Sequence, residues 1–187
     1  MIKTAAVGYM QNSLYAHFNT SSNKRYKSLQ GTYNPKIGGT YAGPQKCPKF
    51  RSKLELRLMT MLDNSNRVIS WSYESKKIPY VDKSTVITSI SGMRSNPTRH
   101  YIIDFIVSIK DKFGGISTFW IETKSANDLL VSKKKNTKNA KISEQIRIKN
   151  YSKWIAARKA AKSVGAHFVV VTENELDTLK KMIYNIN

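Results

Sequence analysis

Two neighbouring apolar segments, Arg99 to Ile109 and Ile116 to Thr123, joined through a turn at Phe113-Gly114-Gly115, limit what this chain can fold into more than any other feature. Their β-branched and aromatic residues read as paired strands. In the first, Tyr101, Ile103, Phe105, Val107 and Ile109 fall on one face. Ile102, Asp104, Ile106 and Ser108 fall on the other. A strand apolar on both faces is central and covered. Asp104 is therefore an acid inside a hydrophobic sheet, where burial without a partner costs on the order of several kcal/mol. Backbone amides or a cation must offset that cost. The second strand ends Glu122-Thr123-Lys124, and residues two apart share a face. If the strands pair, Asp104 joins Glu122 and Lys124. Two carboxylates and an ammonium at one sheet end suit a hard divalent cation with a charged helper.

Charge narrows the partner. The 187 residues carry 32 Lys and Arg against 12 Asp and Glu, a net charge of +20. This excess points to a polyanion, most simply nucleic acid such as double-stranded DNA, because neutralising phosphates releases counterions. A membrane partner is not expected: no run is long enough to span, and no basic helix carries a bulky apolar face. The lone Cys47 excludes an internal disulfide and suits a reducing compartment. The N-terminus lacks the apolar block of a signal peptide. A soluble intracellular protein is expected.

The length suits one domain. Residues 1–49 are rich in Asn, Ser, Thr, Tyr, Gly and Lys and read as an irregular basic arm or lobe. Only Ala5 to Met10 and Leu14 to Phe18 could pack there. Tyr26, Tyr33 and Tyr41 interleave with lysines, which suits either base stacking or anchoring of the arm to the body. Residues 50–187 read as the folded domain. Leu54, Leu58, Met61 and Leu62 predict a helix from Lys53 to Asp63, with Ser52 and Glu55 in capping-box spacing. Glu55 is thus either a cap or an acid at the border of the buried face. Val68 to Tyr73 and Lys77 to Val81 are short strand candidates around Glu74-Ser75. Thr85 to Ile90 is another, and Ser91 to Thr98 reads as a loop.

Ser132 to Lys141 reads as a helix-poor basic connector. Lys133, Lys134, Lys135 and Lys138 within it are expected to bind DNA phosphates rather than merely to be solvated. Ser143 is the candidate cap of the next helix, along which Ile146, Asn150, Lys153, Trp154 and Ala157 follow at helical spacing. Gly165 stops it. His167 to Val171 reads as a buried strand. Thr172 and Glu175 cap a last helix that buries Leu176, Leu179 and Ile183. The order predicts a mixed sheet flanked by helices.

The spacing Asp104 … Glu122-Thr123-Lys124 suits phosphodiester hydrolysis. Hard oxygen ligands hold Mg²⁺, while the lysine orients water or stabilises charge in the transition state. These residues resemble the PD-(D/E)xK nuclease superfamily in its TnsA-like branch, and more closely the head-completion nucleases of T4-type tailed phages. The resemblance is carried by Gly31-Thr32-Tyr33-Asn34-Pro35-Lys36, Phe50-Arg51-Ser52-Lys53-Leu54-Glu55, Val68 to Glu74 and Ile78-Pro79-Tyr80. It continues through Arg99 to Phe105, Trp120 to Lys124 and Asn150 to Trp154, in the family's order.

The resemblance implies an α/β protein, a mixed α+β sheet with a restriction-endonuclease-like αβββαβ core. The implied activity is Mg²⁺-dependent DNA cleavage, with Mn²⁺ able to substitute. Glu55 becomes an active-site acid, Asp104 and Glu122 metal ligands with Glu55 beside them, and Lys124 the catalytic lysine. Asn150 and Lys153 then lie on a helix that faces the site or the DNA. The implied setting is the host cytoplasm during phage assembly, or the head and neck of the virion. Packaged DNA ends are trimmed there beside portal, neck or other head-completion proteins. The sequence departs from the family at Ile103 and Ser125, where prolines are usual. The segment Val81 to Thr98 and the first thirty residues have no counterpart. Two alternatives retain the fold: a non-catalytic neck or connector protein that grips DNA, and a TnsA-like transposase endonuclease subunit. A plain RNA-binding module would leave the acids unexplained.

Overall fold

The computed structural model of the protein describes residues 29–111, 113–129 and 137–184. Tyr26, the N-terminal apolar segments and Lys133, Lys134 and Lys135 lie outside these residues. Among the described residues the first element is β1 (Gly31–Thr32), paired to β2 (Lys49–Phe50). Helix α1 (Lys53–Asp63) follows, with Ser52 as its N-cap accepting from the Glu55 amide. Leu58, Met59 and Leu62 are fully buried on its inner face.

Strand β3 (Val68–Val81) is one 14-residue strand where the sequence suggested two. The pairing slips between Tyr73 and Lys76. Glu74 takes a left-handed backbone there, φ +48°. A β-bulge thus absorbs Glu74-Ser75 without breaking the ladder. The segment Thr85 to Ile90 keeps only β4 (Ile87–Thr88), paired with β5 (Arg94–Ser95) inside the supposed loop. This short hairpin stands apart from the main sheet.

Strands β6 (Thr98–Lys110) and β7 (Ile116–Thr123) follow, then a 3₁₀ turn at Ala126–Leu129. Helix α2 (Lys138–Ser163) begins earlier than expected, capped by Thr137 rather than Ser143. Lys138 and Lys141 are therefore helical, not connector: lysine and alanine are good helix formers on an exposed face, and Thr137 supplies the missing cap acceptor. Gly165, at φ +72°, ends the helix. Strand β8 (His167–Val171) and helix α3 (Leu176–Tyr184) complete the chain. Among the described residues, no helix is long and apolar enough to cross a membrane.

The main sheet runs β3-β6-β7-β8, antiparallel except for the β7–β8 pair that α2 connects. The order α1, three antiparallel strands, α2, β8 is the αβββαβ arrangement anticipated, with β6 central. Its two faces carry separate cores. Phe119, Ile121, Val169 and Val171 pack with α1 and α3, whereas Trp120 and Phe168 pack with Ala157 and Ala161 of α2. Strand β6 departs from simple alternation. Phe105, Val107 and Ile109 join the first core, but Tyr101 and Ile103 join the second. The division falls at Asp104, across from the bulge of β3. The opposite side of β6 is not fully covered either, since Ile102 is exposed.

Part of the expected arm is bound to this body. The Tyr41 ring centroid lies 4.5 Å from that of Trp71, and Tyr33 lies 6.0 Å from it. The Tyr33 hydroxyl and the Lys36 amide both donate to Asp63 Oδ2, at 3.0 and 2.8 Å. Residues 40–42 bond Trp71 from the outer edge of β3. Of the two readings open for the tyrosines, Tyr33 and Tyr41 are placed as anchors.

Candidate active site

The pairing of β6 with β7 ends at Phe105 opposite Ile121, one residue short of both acids. Beyond that point β7 continues to pair with β8, Glu122 against Val170 and Thr123 against Val171. Asp104 and Glu122 therefore sit in the opening between two strands that have stopped pairing. Asp104 Oδ2 accepts from the Thr123 amide at 2.8 Å and from its hydroxyl at 2.9 Å. The structural role considered for Asp104 is thus partly filled, by one backbone amide and one hydroxyl.

Those bonds do not neutralise the environment. Burial, followed by the Glu122 charge, pushes the Asp104 carboxyl up to about 7, against the pull of the Thr123 bonds and of Lys124. A buried carboxyl raised first by desolvation and then by a neighbouring carboxylate is one that a cation would relieve.

Glu122 is 2% exposed. Its Oε2 accepts from the Tyr101 hydroxyl and its Oε1 lies 3.0 Å from Lys124 Nζ. Burial disfavours the Lys124 ammonium, but the charge and hydrogen bond of Glu122 outweigh it, with Asp104 and Asp128 adding, and the amine is held above its ordinary value. Lys124 is therefore a charged donor at neutral pH.

Helix α2 covers this end of the sheet. Lys153 Nζ stands 5.4 Å above the Tyr101 ring. Its amine is lowered by burial, with Lys124 and Lys149 adding and Glu122 and Asp104 opposing. Among the described residues no carboxylate lies within ion-pair distance of it. Asn150 is half-buried one turn earlier on the same helix. Lys138 lies fifteen residues before Lys153, roughly 22 Å along the helix axis at 1.5 Å per residue, and is exposed. It can meet DNA only away from the acids.

Glu55 is placed differently from the other acids. Its Oε2 accepts from the Arg51 amide at 2.7 Å and from the Tyr73 hydroxyl at 2.8 Å. Its own amide bonds Ser52. The cap is thus real, with the carboxylate reaching one residue beyond the N-cap. Tyr73 connects the two regions electrostatically: burial first, then Glu55, then more weakly Asp104 raise its hydroxyl, while Arg51 opposes. Three carboxylates gathered around one ion are not what the structure shows. Among the described residues, no three His, Cys, Asp or Glu side chains are close enough to hold a metal together. Glu55 is drawn away by its cap and by Tyr73.

The donor set still fits Mg²⁺. That ion commonly keeps several waters and takes one or two carboxylates, and Asp104 and Glu122 supply two hard, closely spaced oxyanions. Sequence reasoning missed Tyr101 and Tyr73, which read as ordinary core aromatics. The available signal was that a buried tyrosine hydroxyl needs a partner, and each of these finds an acid.

A family model for the N-terminal domain of TnsA-like endonucleases matches residues 65–173. The match runs from before β3 through β8 and includes Asp104, Glu122 and Lys124, while Glu55 precedes it. The chain is also 28% identical over 161 residues to the head completion nuclease of Enterobacteria phage T4, covering 81% of this chain and 96% of that protein.

Proposed function

Because the chain belongs to the TnsA-like endonuclease family, we propose that it is a Mg²⁺-dependent DNA endonuclease that processes packaged DNA ends during phage head completion. One observation carries the proposal: Asp104 and Glu122 meet where β6 and β7 stop pairing, with Lys124 3.0 Å from Glu122. Held by Asp104 and Glu122, Mg²⁺ would polarise a phosphoryl oxygen and make an attacking water more acidic.

The chain's own groups supply the rest. Lys124, kept protonated by its acidic neighbours, acts as a hydrogen-bond donor to the attacking water or to the phosphate as charge develops. Lys153, half-buried and without a carboxylate partner among the described residues, offers its amine to a backbone phosphate. Asn150 lies on the same stretch of α2. Further out, Lys138 meets the flanking duplex, and Lys133, Lys134 and Lys135 add charge for phosphate binding, so DNA affinity should fall steeply with salt. The head-completion setting, and portal or neck proteins as partners, rest on the likeness to the T4 protein.

Supercoiled plasmid incubated with Mg²⁺ tests the activity. The parent should nick, and Asp104→Ala and Lys124→Ala should not. Equal residual cutting by all three would overturn the assignment. DNA binding without cutting, in Mg²⁺ and in Mn²⁺, would replace it with the reading of a non-catalytic neck protein.

A further inference from the structure

The two oxygens of the Glu122 carboxylate have different neighbours. Oε2 is bound by the hydroxyl of Tyr101, a residue 4% exposed and packed in the core against Ala157 and Ala161. Oε1 is bound by Lys124, whose side chain is 26% exposed. A sealed aromatic on a central strand cannot move aside, whereas an amine on a flexible four-carbon stem can. The ring face of Tyr101 also lies under the Lys153 ammonium, a further contact with the same helix α2.

We propose that Tyr101 is a positioning residue for Glu122: it retains Oε2 and thereby makes Oε1, the oxygen that Lys124 approaches, the atom presented to a divalent cation. The inference rests on the nuclease reading and deepens it. Outer hydrogen-bond partners of this kind orient a ligand and typically account for about 10–100-fold in metal affinity or activity. Release from Oε1 would also free the Lys124 amine for the phosphate when the site is loaded.

Calorimetric titration with Mn²⁺ in the absence of DNA reads the effect directly. Tyr101→Phe should raise the cation dissociation constant by about 10–100-fold and slow nicking, with affinity for DNA unchanged in the absence of cation. Tyr80→Phe is the control: Tyr80 is buried in the same core, but the carboxylate that acts on its hydroxyl is Asp82, outside the site. It should leave cation affinity at the parent's level whatever it does to the melting temperature. Parental cation affinity in Tyr101→Phe, or an equal loss in Tyr80→Phe, would overturn the proposal. A second measurement needs no variant. In protein labelled with ¹³C at the tyrosine ζ carbon, the Tyr101 resonance should move on Mg²⁺ addition while that of Tyr80 stays, and an unmoved Tyr101 resonance would also overturn it. Parent protein that binds no cation and cuts no DNA would remove the nuclease reading and this inference together, whereas a parent that does both beside an unaffected Tyr101→Phe would remove the inference alone.

Discussion

Asp82, just past the end of β3, and Asp104, in the middle of β6, are both enclosed acids, yet their surroundings treat them in opposite ways. Asp82 is 0% exposed. It accepts from the amide and hydroxyl of Ser84 and pairs with Arg99 at 3.0 Å. Burial would raise its carboxyl, but the Ser84 bonds and the charges of Lys149 and Arg99 win, and it is held below the usual carboxylate range. Asp104 has Thr123 as donor but a second carboxylate as neighbour, and its carboxyl rises to about 7. The first arrangement completes a corner of the fold. The second holds a carboxyl well above its ordinary value, which makes it a candidate for a functional site.

The sharpest way to break this contrast is to neutralise each acid in turn. Asp104→Asn should abolish most plasmid nicking, a loss on the order of 10²–10³-fold, comparable to removing a main electrostatic contributor to a transition state, while the protein still melts cooperatively. Asp82→Asn should do the reverse. It should cost about 1–3 kcal/mol, because the lost bonds are buried but Arg99 can turn to solvent, and cutting should remain near the parent's. Nicking rates and thermal melts on the same preparations decide it. Loss of activity in the Asp82 variant, or collapse of the Asp104 variant, would erase the distinction.

Acidity sharpens the same comparison with a smaller effect. In cation-free protein, the folded value of Asp104 lies above its unfolded value near 3.8. Its contribution to stability is therefore present below about 4 and is lost as pH rises through about 7. Asp82 has a lowered folded value, so its contribution is present above its unfolded value and is lost only as pH falls further. Between pH 4 and 8, the melting temperature of the parent should fall relative to Asp104→Asn. A constant difference between the two across that range would contradict the charge state assigned to the site.

Glu55 gives the finest test, because it is bonded like a structural acid but was expected to be functional. Glu55→Gln keeps an acceptor for Arg51 and Tyr73 and should cost no more than about 1 kcal/mol of stability, the scale of a helix cap. If the acid also serves the site through Tyr73, nicking should drop by more than the change in folded fraction explains. Full activity would leave Glu55 as a cap alone.

Much of the architecture was legible because it is local. The β-branched alternation of Ile116 to Thr123 and the Ser52–Glu55 cap act within a few residues, and both elements have the predicted limits. What was misread depends on distant partners. Glu74-Ser75 looks like a break between two short strands until β6 pairs across it and makes it a bulge. Tyr101 looks like core until Glu122, twenty-one residues on, takes its hydroxyl. The convergence of Glu55 on the other acids failed for a similar reason. Whether an acid beside a cap turns to the cap or to the sheet depends on which donors the tertiary fold puts in reach, and here Tyr73 and the Arg51 amide are the nearer ones.

By itself the sequence determined the order of most strands and helices, the strong positive charge and the residue types a phosphodiester chemistry would need, because period, capping and charge are properties of short stretches or of simple sums. Only the tertiary structure decided which acids share a site, which oxygen each neighbour holds and where β6 changes its allegiance between two cores. Those outcomes depend on strand register and burial. Both arise from contacts between residues far apart in the chain, where a shift of one position turns a side chain to the other face.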